Sequence, residues 1–177
     1  MKNTLRKLLF TATVCSLVCT MPVFAKTEQK YEETKKVLEE SNSIQLENRY
    51  ISKARGIDNA RGTYISSSIV SIENIGNGVI GITATTTAHR PVDKIRIHIY
   101  LDKLNENKKW IQVDDFDYYF YPEDEPDGEL TKAIVELEVD DQPAGYYYRV
   151  RGTHGVWKNG VSESQSTRSD GVLITNP

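Results

Sequence analysis

Three histidines, one acidic run and two segments carrying arginine and tyrosine hold the side chains of this 177-residue chain that could do chemistry. His89 adjoins Arg90-Pro91, and His98 falls on the polar side of an alternating segment. His154 lies between Thr153 and Gly155, in a glycine-punctuated stretch read as a turn. None of them accompanies a Gly-x-Ser-x-Gly elbow, a His-Glu-x-x-His pair or a phosphate-cradling glycine loop before a helix. No catalytic residue is therefore assigned, and a non-enzymatic chain is expected. The enzymatic alternative is a hydrolase that uses a carboxylate with His154.

The acidic run holds eight carboxylates within the 16 residues Asp114 to Glu129. Glu123, Asp124 and Asp127, beside Gly128, are the candidates for an extracellular calcium site, because Ca²⁺ takes clustered oxygen ligands. The spacing departs from the EF-hand loop, and a solvated acidic loop is the alternative. No other metal or cofactor is expected.

The third group depends on how the strands are arranged. Lys94 to Asp102 alternates, with Ile95, Ile97, Ile99 and Leu101 on one side and Arg96, His98, Tyr100 and Asp102 on the other. Tyr146 to Gly152 reads as a later strand, with continuation toward Trp157 as the alternative, and with Tyr146, Tyr148 and Val150 inward and Tyr147, Arg149 and Arg151 outward. In an immunoglobulin-like sandwich these two strands are neighbours. Arg96, His98, Tyr100, Tyr147, Arg149 and Arg151 would then share one basic, aromatic face. Such a face suits a sugar or an anionic polymer, through stacking, cation–π contact and ion pairing. The alternative is a solvated sheet face whose long side chains only cover it.

The elements that must position these residues are strands. Tyr64 to Ile72 and Val79 to Ala88 flank Asn77-Gly78, the strongest hairpin signal in the chain. Trp110 to Tyr121 follows, with a bulge expected near Asp114-Asp115 and with Phe116, Tyr118 and Phe120 facing inward. Ala133 to Val139 comes next, Asn159-Gly160 is a further turn, and a polar last strand lies within Glu163 to Thr175. About seven strands with frequent turn signals and no intervening helix predict an all-β, antiparallel two-sheet sandwich of immunoglobulin-like, Greek-key type. A Greek-key barrel or jelly roll is the alternative. Pro143-Ala144-Gly145 ahead of three tyrosines resembles a tyrosine corner, without saying which tyrosine plays the part. Trp110 and Trp157 flank turns, as rim packing or as sugar platforms.

The segments Val92-Asp93-Lys94-Ile95, Tyr146 to Val156 and Ser169-Asp170-Gly171-Val172 together resemble an uncharacterised family of small exported proteins from Gram-positive bacteria. The resemblance covers about residues 60–175. It implies export and a compact domain, with no activity and no catalytic residues to carry over.

The N-terminus points to the compartment. Lys2, Arg6 and Lys7 precede an apolar run from Leu8 to Phe24, which ends at Val23-Phe24-Ala25. That order predicts a signal peptide over residues 1–25, cut after Ala25. An uncleaved anchor is the alternative. Removal of the segment takes Cys15, Cys19 and three of the 22 basic residues but none of the 25 acidic ones, leaving 152 residues with a net charge of −6. The mature chain would hold no disulfide, thiolate or cysteine-ligated zinc. The acidic balance argues against a nucleic-acid partner, and no second apolar run is long enough to span a bilayer. Residues 26–60 read as a charged spacer or marginal helix, and residues 61–177 as the sandwich. The expected function is an exported, non-enzymatic module that is secreted or envelope-associated and binds an envelope polymer, glycan or protein. The alternative from another class is a secreted, bacteriocin-like membrane-active toxin.

Overall fold

A computed structural model describes residues 45–46, 50–56 and 62–176. The expected signal peptide, its cleavage point after Ala25, and most of the stretch 26–60 lie outside the described residues. The strands are β1 (Gln45–Leu46), β2 (Ile51–Arg55), β3 (Ile65–Gly76), β4 (Val79–Ala88), β5 (Lys94–Leu104), β6 (Trp110–Phe120), β7 (Lys132–Val139), β8 (Tyr147–Lys158), β9 (Val161–Arg168) and β10 (Gly171–Leu173). A short 3-10 turn, Pro122–Asp124, follows β6. No helix among the described residues is long and apolar enough to cross a membrane.

The fold is all-β and consists of two facing sheets. One is four-stranded in the order β2-β3-β4-β7. The other is six-stranded in the order β1-β10-β8-β5-β6, with β9 also paired to β8. Pairing is antiparallel throughout, apart from a two-residue parallel contact between β1 and β10. Alternation decides which side chains go between the sheets, because successive strand residues point to opposite faces. Ile72, Ile80 and Ile82 of the smaller sheet meet Ile95, Ile97, Ile99, Leu101 and Val150 of the larger one in a single core. Phe116, Tyr118, Phe120 and Tyr146 pack against its edge.

The turns follow from residue type. Asn77-Gly78 and Asn159-Gly160 both take left-handed backbone at both positions, with φ of 54° and 75° in the first and 51° and 75° in the second. This is the type I′ geometry that matches the twist of a two-residue hairpin. Asp93 secures the second turn: its carboxylate accepts from the Asn159 N–H at 2.6 Å and from Lys158 Nζ at 2.9 Å. Those hydrogen bonds, Lys158 first, hold the Asp93 carboxyl below the usual carboxylate range.

Three elements differ from the sequence expectation. Ile51–Arg55, within the stretch read as a charged spacer or marginal helix, pairs with Ile69–Glu73 as an edge strand of the smaller sheet. The single polar last strand is divided into β9 and β10 along one edge of β8. Ser169 sits at the break, where its N–H donates to Val150 O and its Oγ accepts from Val150 N–H, both at 2.9 Å. Gly152 to Gly155 is no turn, because β8 runs unbroken from Tyr147 to Lys158.

The tyrosine of the corner is Tyr148. Its hydroxyl donates to Pro143 O at 3.2 Å while its ring is fully buried. Burial pushes the phenol up to about 12, so it stays a donor at ordinary pH. Tyr148→Phe should cost about 1 kcal/mol, the net worth of one hydrogen bond. A shift of the urea midpoint reads it, and an unchanged midpoint would show that the bond adds nothing.

Candidate functional site

β5 and β8 are neighbours, with Tyr100 opposite Arg151 and Asp102 opposite Arg149. The outward residues predicted to share a face therefore do so. Their environment departs from the solvated face expected: Tyr100 is completely buried, and Arg149 and Arg151 are each only 1% exposed. A buried guanidinium needs a counter-charge and hydrogen-bond acceptors. Asp102, itself 2% exposed, supplies both. Its Oδ2 accepts from Arg149 Nε and Arg151 Nε, each at 2.7 Å, and its Oδ1 accepts from Arg151 Nη2 at 2.8 Å. Gln112 Oε1 accepts from the same Nη2 at 3.2 Å. Aromatic rings lie over the cations, Trp110 at 4.6 Å from Arg149 and Tyr100 at 4.8 Å from Arg151.

A β-bulge builds this site. Leu101 pairs with Asp114, but Asp102 pairs with Gln112, so Val113 is the extra residue on β6. An extra residue exchanges the two faces of a strand. Beyond it, Gln112 and Trp110 turn toward the arginines, where unbroken alternation would have put Val113 and Ile111. Asp102, Trp110, Gln112, Arg149 and Arg151 line a cleft of about 320 Å³. Trp110 forms a wall of it, since a Cβ on Gly171 would lie 3.0 Å from the indole. Burial holds Arg149 below the usual guanidinium range; the Asp102 hydrogen bond opposes this, and the charges of Arg151 and Arg168 add to it.

The remaining candidates divide. Arg96 makes a two-point contact with Asp117, Nε to Oδ1 at 2.8 Å and Nη2 to Oδ2 at 2.7 Å. His98 is nearly buried rather than exposed. Its Nε2 meets Asp115 Oδ2 at 2.7 Å, and its Nδ1 meets the Tyr100 hydroxyl at 2.9 Å. The Asp115–His98–Tyr100 chain links an exposed carboxylate to a completely buried phenol through the imidazole. Tyr147 stands half-buried at the rim, and His89 is exposed at a strand end.

His154 requires a correction. It is completely buried on the core face of β8, its Nδ1 at 2.7 Å from Thr86 Oγ1 of the facing sheet and its Nε2 at 2.9 Å from Thr167 Oγ1. Burial pushes its pKa down to about 3. It is a neutral, buried bridge between the sheets and not the turn residue that the hydrolase alternative relied on.

The calcium candidates are occupied locally. Asp124 Oδ2 accepts from Tyr121 N–H and Asp127 Oδ1 from Glu129 N–H, each at 3.0 Å. Among the described residues no three carboxylates or histidines come together as a metal site, and Glu123, Asp124 and Asp127 do not converge. Asp102 and Gln112 were the members the sequence reading did not single out. The available signal was an acid on the polar side of β5, two residues past Tyr100 and level with an arginine across the strand pair.

No curated protein matches the chain. One family model does match, over residues 47–171, from just before β2 to the first residue of β10. Because that span takes in both facing sheets and the whole arginine cleft, the chain belongs to the Family of unknown function (DUF6147).

Proposed function

We propose that the chain is an exported, non-enzymatic β-sandwich module that binds an anionic polymer of the cell envelope through the face centred on Arg149 and Arg151. The observation that carries this reading is a cationic cleft built into the sheet of a protein that is otherwise acidic. Two guanidiniums stand there on a single carboxylate. Holding them buried costs desolvation, so retaining them is better explained by recognition than by stability. The signal-like order of residues 1–25 supports export. The Tyr148 corner and the β5–β8 pairing support an immunoglobulin-like reading of the sandwich, a scaffold suited to presenting a binding face.

The test is binding of the purified protein to Gram-positive cell walls before and after acid extraction of their anionic polymers. Extraction should abolish binding. Raising the salt from low to about 0.5 M should weaken it roughly tenfold, since exposed polyanion charge is screened. Equal binding to extracted walls would refute the reading.

A further inference from the structure

We infer that the cleft is a subsite for a single oxyanion group, held by the Nη1 end of Arg151. This rests on the binding reading above and names the chemical group that the same face takes. A guanidinium has five N–H donors in a fixed fork and no acceptor. Arg151 uses Nε on Asp102 Oδ2 and Nη2 on Asp102 Oδ1 and Gln112 Oε1. Its Nη1 is buried and has no hydrogen-bond partner. Buried polar groups are almost always paired, so an orphan donor on a charged group calls for an acceptor.

The acceptors among the cleft-lining side chains are directed at other donors. Both Asp102 oxygens are taken by the two arginines, and Gln112 Oε1 by Arg151. The indole of Trp110 is a donor only. A ligand entering the cleft can bring the acceptor, and the local charge selects its kind. Arg149 and Arg168 are both held below the usual guanidinium range, chiefly by burial and in part by the positive charge of Arg151. An oxyanion relieves that mutual repulsion and forms a charge-assisted hydrogen bond, which a neutral carbonyl does not. The flanking indole is packed between Gly171 and Arg149, so the subsite reads charge rather than the flat face of a sugar.

Carboxylates and phosphodiesters share this chemistry, and probes separate them. The protein labelled with ¹⁵N in its arginines is titrated with sodium acetate, sodium dimethyl phosphate and sodium sulfate, each against sodium chloride at equal ionic strength. The Arg151 side-chain signals should shift saturably with at least one oxyanion, at concentrations about tenfold below any chloride effect. Acetate alone would mark a carboxylate ligand, and dimethyl phosphate alone a phosphodiester. No saturable shift with any of the three would overturn the subsite. Arg151→Lys keeps the charge and loses the forked donors, so a folded variant should bind the active probe about tenfold more weakly, and unchanged affinity would also overturn it. Should that variant fail to fold, the wild-type titration decides alone. Wall binding with silent Arg151 signals removes the subsite and leaves the module reading. Oxyanion binding without wall binding keeps the subsite and removes the wall polymer as its source.

Discussion

Asp102→Ala should lower the stability of the fold by about 3–5 kcal/mol, the cost of leaving buried charge without its partner. Arg149 and Arg151 both rely on this carboxylate, and its removal strands two guanidiniums that are 1% exposed. Urea unfolding followed by circular dichroism measures the loss. The contrasting variant replaces the whole cluster, with Asp102→Leu, Arg149→Met and Arg151→Met together. It should recover most of the stability, because apolar residues of similar volume can replace a buried ion cluster without penalty. Together the pair of variants separates two roles. If the single change destabilises and the triple change does not, the cluster is dispensable for folding and is retained for what it binds. An Asp102→Ala change of less than about 1 kcal/mol would mean that the arginines reach water when unpaired.

Acid should destabilise the protein through His154, and His154→Gln should remove that part of the effect. Its folded pKa is about 3 against an ordinary 6.5, because the imidazole is completely buried. Above pH 6.5 the ring is neutral in both folded and unfolded chains, so it adds no pH dependence. Between 6.5 and about 3 the unfolded chain binds a proton that the folded chain refuses. Stability then falls by about 1.4 kcal/mol per pH unit as the solution is acidified. Around pH 4 the accumulated loss is about 3 kcal/mol. Glutamine can still donate and accept between Thr86 and Thr167 but does not titrate. Urea midpoints from about pH 7 to about pH 4 should therefore fall more steeply for the wild type than for His154→Gln. Carboxylates such as Asp93, whose depressed pKa also makes its contribution vanish in acid, act equally in both proteins and cancel in the comparison. Parallel profiles would show that the imidazole is protonated in place.

The elements legible from sequence were those whose alternation was unbroken. β4 and β5 were read from isoleucine and alanine spacing, and the two Asn-Gly turns from the backbone those residues accept. The legible part of the site was equally local: Arg96, His98, Tyr100, Tyr147, Arg149 and Arg151 were assigned to the outward side because their neighbours were apolar. Where glycine interrupted the pattern the reading failed. Gly152 and Gly155 suggested a turn around His154, yet both sit within β8, where side chains occupy the space a Cβ would need. At Gly155 a Cβ would lie 2.5 Å from the Trp157 ring, and at Gly152 one would lie 2.6 Å from Thr167 Oγ1.

The sequence by itself determined the strands of unbroken alternation, the two-sheet class, the outward side of the arginines and a signal-like N-terminus, because each is carried by residue patterns close together along the chain. Only the tertiary structure decided that the arginine face is buried, that Asp102 pairs with both of its arginines, and that the bulge at Val113 turns Gln112 and Trp110 into the cleft. It also decided that His154 joins the two sheets rather than lying in a loop. Burial and ion pairing are properties of what lies across the strand pair and above the sheet. The partners that set them, Asp102 for Arg149 and Thr86 for His154, lie 47 and 68 residues away along the chain.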